Sequence, residues 1–160
     1  MFIIVMGVSG VGKTTIGTAL AKDLGWIFAD ADEFHPPANI EKMSRGIPLN
    51  DDDRVPWLQA IRNHIVNRMN KGESGVVTCS ALKRKYRDVL QVNEQVKFVY
   101  LKGDYDLILE RMQTRDHFMK PEMLKSQFEA LEEPKEAIVV NVEKKVEEIV
   151  KTVRQELAIT

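Results

Sequence analysis

The sequence predicts a three-layer α/β fold built on a five-stranded parallel sheet. Three observations carry that reading. Five short apolar runs, rich in β-branched residues, recur along the chain at residues 2–6, 26–29, 75–79, 96–101 and 137–140. Runs that are apolar at consecutive rather than alternating positions read as strands buried on both faces. Each is followed, after a loop, by a stretch with helical spacing, and strands alternating with helices demand right-handed crossovers between parallel strands. Ligands of such sheets bind beyond the carboxyl ends of the strands, so chemistry is expected just after residues 6, 30, 79 and 101.

The helices are placed at about residues 13–24, 39–45, 55–71, 80–91, 104–114, 121–131 and 142–157. Start signals support three of them: Ser80 as a cap, Asp104 ahead of Leu107, Ile108 and Leu109, and Pro121 in a first helical turn. The 160 residues suit a single domain, and no repeat, linker or low-complexity stretch divides them. With 23 Lys and Arg against 24 Asp and Glu, the net charge of −1 gives no global attraction to nucleic acid. The opening apolar run is far shorter than the ~20 residues of a membrane span and lacks the basic start of a signal peptide. One cysteine, Cys79, excludes an internal disulfide and a multi-cysteine zinc site, in keeping with a reducing, cytoplasmic setting. At the end of a buried strand it reads as a small core residue rather than a nucleophile.

Directly after the first strand stands Gly7-Val8-Ser9-Gly10-Val11-Gly12-Lys13-Thr14-Thr15, a full match to G-x-x-x-x-G-K-[ST] between a strand and a helix. Glycines let the backbone curl so that successive N–H groups converge on an anion, and the helix adds the positive end of its dipole. Lys13 is expected on the β- and γ-phosphates of ATP, and the Thr14 hydroxyl on Mg²⁺. The motif does not say which acceptor takes the phosphoryl group. The sequence has no N-K-x-D run of a guanine reader, and its length matches a small-molecule kinase.

Asp30 and Asp32 follow the second strand. Alternate residues of an extended chain point to opposite sides, so the two carboxylates can serve separate ligands. Asp30 is assigned to Mg²⁺, and Asp32 to the acceptor hydroxyl as orienter and general base. His35 either hydrogen-bonds the acceptor or packs under the Pro36-Pro37 turn.

The segments Asp30-Ala31-Asp32-Glu33-Phe34-His35-Pro36, Asn39-Ile40-Glu41-Lys42-Met43 and residues 46–58, Gly46-Ile47-Pro48-Leu49-Asn50-Asp51-Asp52-Asp53-Arg54-Val55-Pro56-Trp57-Leu58, resemble the gluconate kinase family. So do the third-strand segment Cys79-Ser80-Ala81-Leu82-Lys83-Arg84-Lys85-Tyr86-Arg87-Asp88, the lid segment His117-Phe118-Met119 and the helix residues 126–132. The resemblance spans nearly the whole chain. It implies ATP:D-gluconate 6-phosphotransferase activity, a P-loop kinase fold like that of nucleoside monophosphate kinases with a small lid at about 112–125, Mg²⁺ dependence and a homodimer. One departure is visible. Family members commonly carry Arg, two residues and then His-Phe, whereas Arg115-Asp116-His117-Phe118 leaves one residue between. Arg111 and Arg115 are thus both candidates for the arginine on the phosphates.

A gluconate pocket needs a cation and several hydrogen-bond partners. Arg54, Lys83, Arg84 and Arg87 are the cations nearest the predicted strand ends, and Arg54 and Arg87 are preferred because a guanidinium fork matches a carboxylate. Arg54 could instead pair with residues 51–53, and only one or two of the run 83–87 can face the site if it is helical. Trp57 fits the core or a pocket wall. Arg111 and Arg115, four residues apart, share a helix face if the helix continues. Arg111 is assigned to the nucleotide, Arg115 to charge developing on the transferring phosphoryl group, and His117 to substrate in the lid. By analogy with related kinases, residues 132–141 border the adenine. Rival readings are a shikimate or nucleoside monophosphate kinase, against which residues 51–58 argue, and a nucleotide-switched binding module.

Overall fold

The computed structural model describes residues 1–114 and 121–159. In chain order its elements are β1 (Phe2–Met6), α1 (Lys13–Leu24), β2 (Ile27–Asp30), α2 (Pro37–Ser44), α3 (Asp51–Asn70), β3 (Gly75–Thr78), α4 (Arg84–Leu90), β4 (Val96–Lys102), α5 (Tyr105–Thr114), α6 (Pro121–Ala130), β5 (Ile138–Asn141) and α7 (Val146–Glu156), with a 3-10 turn at Ala31–Phe34. All strand pairings are parallel, in the order β2-β3-β1-β4-β5. The five predicted strands are therefore present, and β1 is central and completely buried, as a continuous apolar run requires.

The period-two alternation of β1 splits the core in two. Ile3 and Val5 face one layer, where Ile16 and Leu20 of α1, Ile108 and Met112 of α5, Leu124 of α6 and Ile149 and Val153 of α7 pack. Phe2, Ile4 and Met6 face the other, against Trp57, Leu58, Ile61 and Ile65 of α3 and Tyr86 and Leu90 of α4. These are the three predicted layers. They leave the carboxyl ends of β1, β2 and β3 side by side, in register at Val5↔Thr78 and Asp30↔Thr78.

The starts of α3 and α4 differ from expectation for local reasons. Helix α3 starts at Asp51 rather than 55 because Asn50 and Asp53 form a reciprocal capping box that recruits an extra turn. Helix α4 starts at Arg84 rather than 80. Ala81 takes a left-handed φ of 45°, and Lys83, not Ser80, is the N-cap. Asp104 does cap α5, accepting from the Leu107 N–H at 2.8 Å. The α5 helix runs to Thr114 and α6 begins at Pro121, so the predicted lid range of 112–125 includes the ends of two helices, and its centre lies outside the described residues.

Helix α1 crosses close over β3. A Cβ placed on Gly17 would lie 2.6 Å from Thr78 Cγ2 and 3.0 Å from Phe28 Cε1. Gly17→Ala improves helix propensity by about 1 kcal/mol, but the methyl must displace a stiff β-branched side chain on a buried strand, an overpacking that costs roughly 1–3 kcal/mol. We expect packing to win. Thermal unfolding should show a Tm lower by about 3–6 °C; an unchanged or higher Tm would mean that α1 and β3 are not locked together here.

Candidate active site

The loop between β1 and α1 curls as the motif requires. Gly10 and Gly12 have φ of 83° and 102°, in the left-handed region that side chains disfavour, and Gly12 forms the N-cap of α1. Lys13 Nζ turns back into the loop and donates to the carbonyls of Gly7 at 2.9 Å and Val8 at 3.0 Å. Burial of this ammonium lowers its pKa to about 8, with the Asp32 and Asp30 carboxylates pulling the other way. The first N–H groups of α1 have no acceptor inside the helix and open onto the same space. Val8 and Val11 have side chains buried in the core, so these two residues can offer a ligand only their backbone.

That space is a cavity of about 300 Å³ lined by Ser9, Gly10, Gly12, Lys13, Thr14, Thr15, Asp30, Asp32, Arg111 and Met112. It joins the two ends of the predicted chemistry. Asp30 and Asp32 do not point to opposite sides as an extended chain would place them. Asp30 ends β2, its Oδ1 accepts the Asp32 N–H at 2.9 Å, and the 3-10 turn swings Asp32 round into the same cavity. Burial, then repulsion from Asp30, pushes the Asp32 pKa up, while His35 and Lys13 oppose the shift. A raised proton affinity suits a general base. Arg111 belongs to this cavity, its Nη2 donating to the Val142 carbonyl at 2.8 Å. Residues 132–137, the first part of the predicted adenine border, line a different hollow.

The His35 ring is held by two neighbours. Its ring stacks on Trp57 with centroids 4.5 Å apart and planes 9° apart, while the Asn39 amide approaches Nδ1 at 3.2 Å. With Asn39 donating, Nδ1 accepts and the proton sits on Nε2. Burial lowers the His35 pKa, opposed by Asp32 and reinforced by Arg54, so the ring stays neutral. Trp57 is core and wall at once. It is buried, and its Nε1–H donates to the Ala31 carbonyl at 2.7 Å, tying α3 to the turn that carries Asp32.

Arg54 near the start of α3 and Lys83 at the start of α4 bring two cations to the Tyr86 ring. Arg54 does not pair with residues 51–53. Asp53 pairs with Lys42 at 2.7 Å, and Asp51 accepts from Lys85, from the Tyr86 hydroxyl and, at 3.4 Å, from Lys83. These donors, Lys85 foremost, hold the Asp51 carboxyl well below the usual carboxylate range. Arg54 donates to the Leu49 carbonyl at 2.8 Å and lies over the Tyr86 ring, 5.6 Å from its centroid. Lys83 shares that ring at 5.7 Å.

Arg87 is a correction. Its guanidinium donates to the carbonyls of Ala81 at 2.8 Å, Leu82 at 3.2 Å and Glu132 at 2.7 Å and is buried, so it braces the turn before α4 instead of reading an acceptor carboxylate. The shorter α4 is the reason. Residues 81 and 82 are out of the helix; the Glu132 N–H reaches the Leu82 carbonyl at 2.8 Å, and Arg87, within α4, folds back onto both carbonyls. Arg84 is exposed. Cys79 is buried with its thiol pushed up to about 12, the core residue expected. Arg115 and His117 lie outside the described residues.

The comparisons with known proteins agree with this geometry. The family model described as shikimate kinase matches residues 9–158. The thermosensitive gluconokinase of Escherichia coli is 52% identical over 133 residues, covering 82% of this chain and 71% of that protein. The thermoresistant gluconokinase of the same bacterium is 44% identical, covering 92% and 87%. The chain belongs to the gluconokinase family. A crystal structure of a gluconokinase from Sinorhizobium meliloti superposes on this family member with a TM-score of 0.88 at 46% identity, covering 98% of this chain and 90% of that one. Shikimate kinase from Aquifex aeolicus, at 19% identity and a TM-score of 0.62, shares the fold.

Two residues of this gluconokinase-family site escaped the sequence reading. Thr78 Oγ1 is buried with no partner among the described residues, and Thr78 pairs in register with Asp30. Together with Thr14 and Asp30 it makes a set of hard oxygen donors that fits Mg²⁺ and its retained waters. No group of three or more His, Cys, Asp or Glu that could hold a metal occurs among the described residues. Gln127 of α6 is the second. It touches the phosphate loop at Ser9. A strand-end threonine and a helix-surface glutamine carry no sequence signal of such a role.

A buried Lys13 ammonium costs stability below its folded pKa. The folded value, about 8, lies below the ordinary lysine value of 10.5, so the unfolded chain binds more protons between those pH values and stability rises with pH there. Lys13→Met should therefore gain on the wild type at pH 7, by up to about 3 kcal/mol less the lost carbonyl contacts. The gap should close towards pH 10.5. Denaturant unfolding of both proteins across that range measures it; a gap independent of pH would mean that the ammonium is not desolvated.

Proposed function

We propose that this protein transfers the γ-phosphoryl group of ATP to the C6 hydroxyl of D-gluconate, giving 6-phospho-D-gluconate and ADP. One observation supports it above the others. A phosphate cradle with its lysine and an aspartate of raised proton affinity line one cavity, beside a wall bearing Arg54 and Lys83. The first binds a triphosphate, the second receives a hydroxyl proton, and the third suits an acceptor that carries a carboxylate.

In this reading the gluconate O6 attacks the γ-phosphorus in line. The O6–P bond forms, the bond to the β,γ-bridging oxygen breaks, ADP leaves, and the O6 proton passes to Asp32. Lys13 moves from the Gly7 and Val8 carbonyls to the phosphates, neutralising charge as it spreads over the transferring group. His35 offers its Nε2–H to a substrate hydroxyl, and Arg54 with Lys83 receives the carboxylate. Arg111 steadies the nucleotide. Mg²⁺, held by Thr14 and Asp30, would supply further neutralisation of the β- and γ-oxygens. Residues 1–160 act as one domain with its lid at about 112–125, where Arg115 and His117 complete the site. A cytoplasmic setting fits a chain whose single cysteine, Cys79, is a free thiol. A homodimer fits the exposed apolar side chains of Ile40, Met43, Ile47 and Val55.

A coupled ADP-release assay with Mg-ATP against gluconate, other aldonates, shikimate, AMP and CMP tests the acceptor. Turnover on gluconate alone is expected; turnover on shikimate would transfer the site to the acceptor of the matched family model, and ATP binding without turnover would favour a switch module. Asp32→Asn should lower kcat by about 10²–10⁴-fold with the KM for ATP nearly unchanged, and an effect confined to ATP would place Asp32 on the metal side. Arg54→Met should raise the KM for gluconate by tenfold or more, the loss of roughly 1.5–3 kcal/mol from a charged hydrogen bond. A shift in the ATP KM instead would remove Arg54 from the acceptor wall.

A further inference from the structure

The phosphate loop is gripped from outside by one side chain. Gln127 Oε1 accepts the Ser9 N–H at 2.7 Å, and Gln127 Nε2 donates to Ser9 Oγ at 3.0 Å, a two-point contact between residues 118 positions apart. Ser9 also lines the cavity that holds Lys13, Asp30 and Asp32. The grip falls where the loop is least constrained. Gly10 follows at φ 83° and Gly12 at φ 102°, so the peptide planes on either side can rotate at little cost. Before Ser9 the loop is fixed by the Gly7 N–H on the Ser80 carbonyl at 3.3 Å, and after it by the Val11 N–H on the Val8 carbonyl at 3.4 Å.

The loop amides thus divide into two sets. Those of Gly7, Ser9 and Val11 are committed to protein acceptors, while the opening amides of α1 have no intrahelical acceptor and face the cavity. We infer that Gln127 is a positioning residue for phosphoryl transfer, holding the Ser9 peptide so that the remaining loop amides converge on the triphosphate. The inference rests on reading this loop as the nucleotide site. Gln127 contacts the loop through neutral hydrogen bonds, so its effect is on the shape of the cradle rather than its charge.

Steady-state kinetics of the full chain with ATP and gluconate, on Gln127→Leu, Ser9→Ala and the double variant, test it. Gln127→Leu should raise the KM for ATP by about tenfold, the effect of one to two net hydrogen bonds, with the KM for gluconate within about twofold of wild type. Ser9→Ala removes only the hydroxyl contact and should raise the KM for ATP less. The double variant should be no worse than Gln127→Leu, because the two changes remove one interaction. Should Gln127→Leu fail to fold, Gln127→Asn, one methylene too short to make both contacts, serves in its place. A folded Gln127 variant with unchanged KM for ATP, an equal rise for both substrates, or additive single effects would each overturn the role. A wild-type protein that does not bind ATP in calorimetry would instead overturn the nucleotide site itself.

Discussion

An ammonium group has to be kept inside a loop built to receive anions, and the rest of the site is arranged around that constraint. Lys13 is desolvated enough to lose part of its basicity, yet two carbonyls of its own loop hold it in place. Such a group is costly to fold around and valuable to a triphosphate, which offers the charge that the protein withholds. The loop can bear this because it is rigid on both sides. Its strand lies at the centre of the sheet, and its helix packs so closely on β3 that position 17 leaves no room for a methyl.

The Asp30 and Asp32 side of the cavity follows a similar logic with opposite charge. Asp30 spends one oxygen on the Asp32 amide, and this hydrogen bond makes the 3-10 turn that brings Asp32 into the cavity. Trp57 fixes the same turn through the Ala31 carbonyl and supports the His35 ring. One buried tryptophan therefore links helix α3, which carries Arg54, to the turn that carries Asp32.

Much of this was legible in the chain. The five apolar runs fall on the five strands, and the Gly7–Thr15 motif and the Asp30, Asp32 pair fall where a parallel sheet places its ligands. The misreadings share a cause. Arg87 looked like a carboxylate reader because guanidinium chemistry and strand-end position were both right, but chain periodicity cannot show that Ala81 leaves the helix and exposes carbonyls for it to satisfy. The opposed orientation expected for Asp30 and Asp32 assumed extended backbone, and one side-chain hydrogen bond converted that segment into a turn.

The sequence by itself determined the layers and the phosphate loop, because hydrophobic period and glycine spacing are local and act within a few residues. Only the tertiary structure decided which of the cations are free and which polar groups meet. Asp51 gathers Lys83, Lys85 and Tyr86 from more than thirty positions away, and Gln127 reaches Ser9 across most of the chain. A hydrogen bond is satisfied by any donor that packing brings near, and packing depends on the whole sheet.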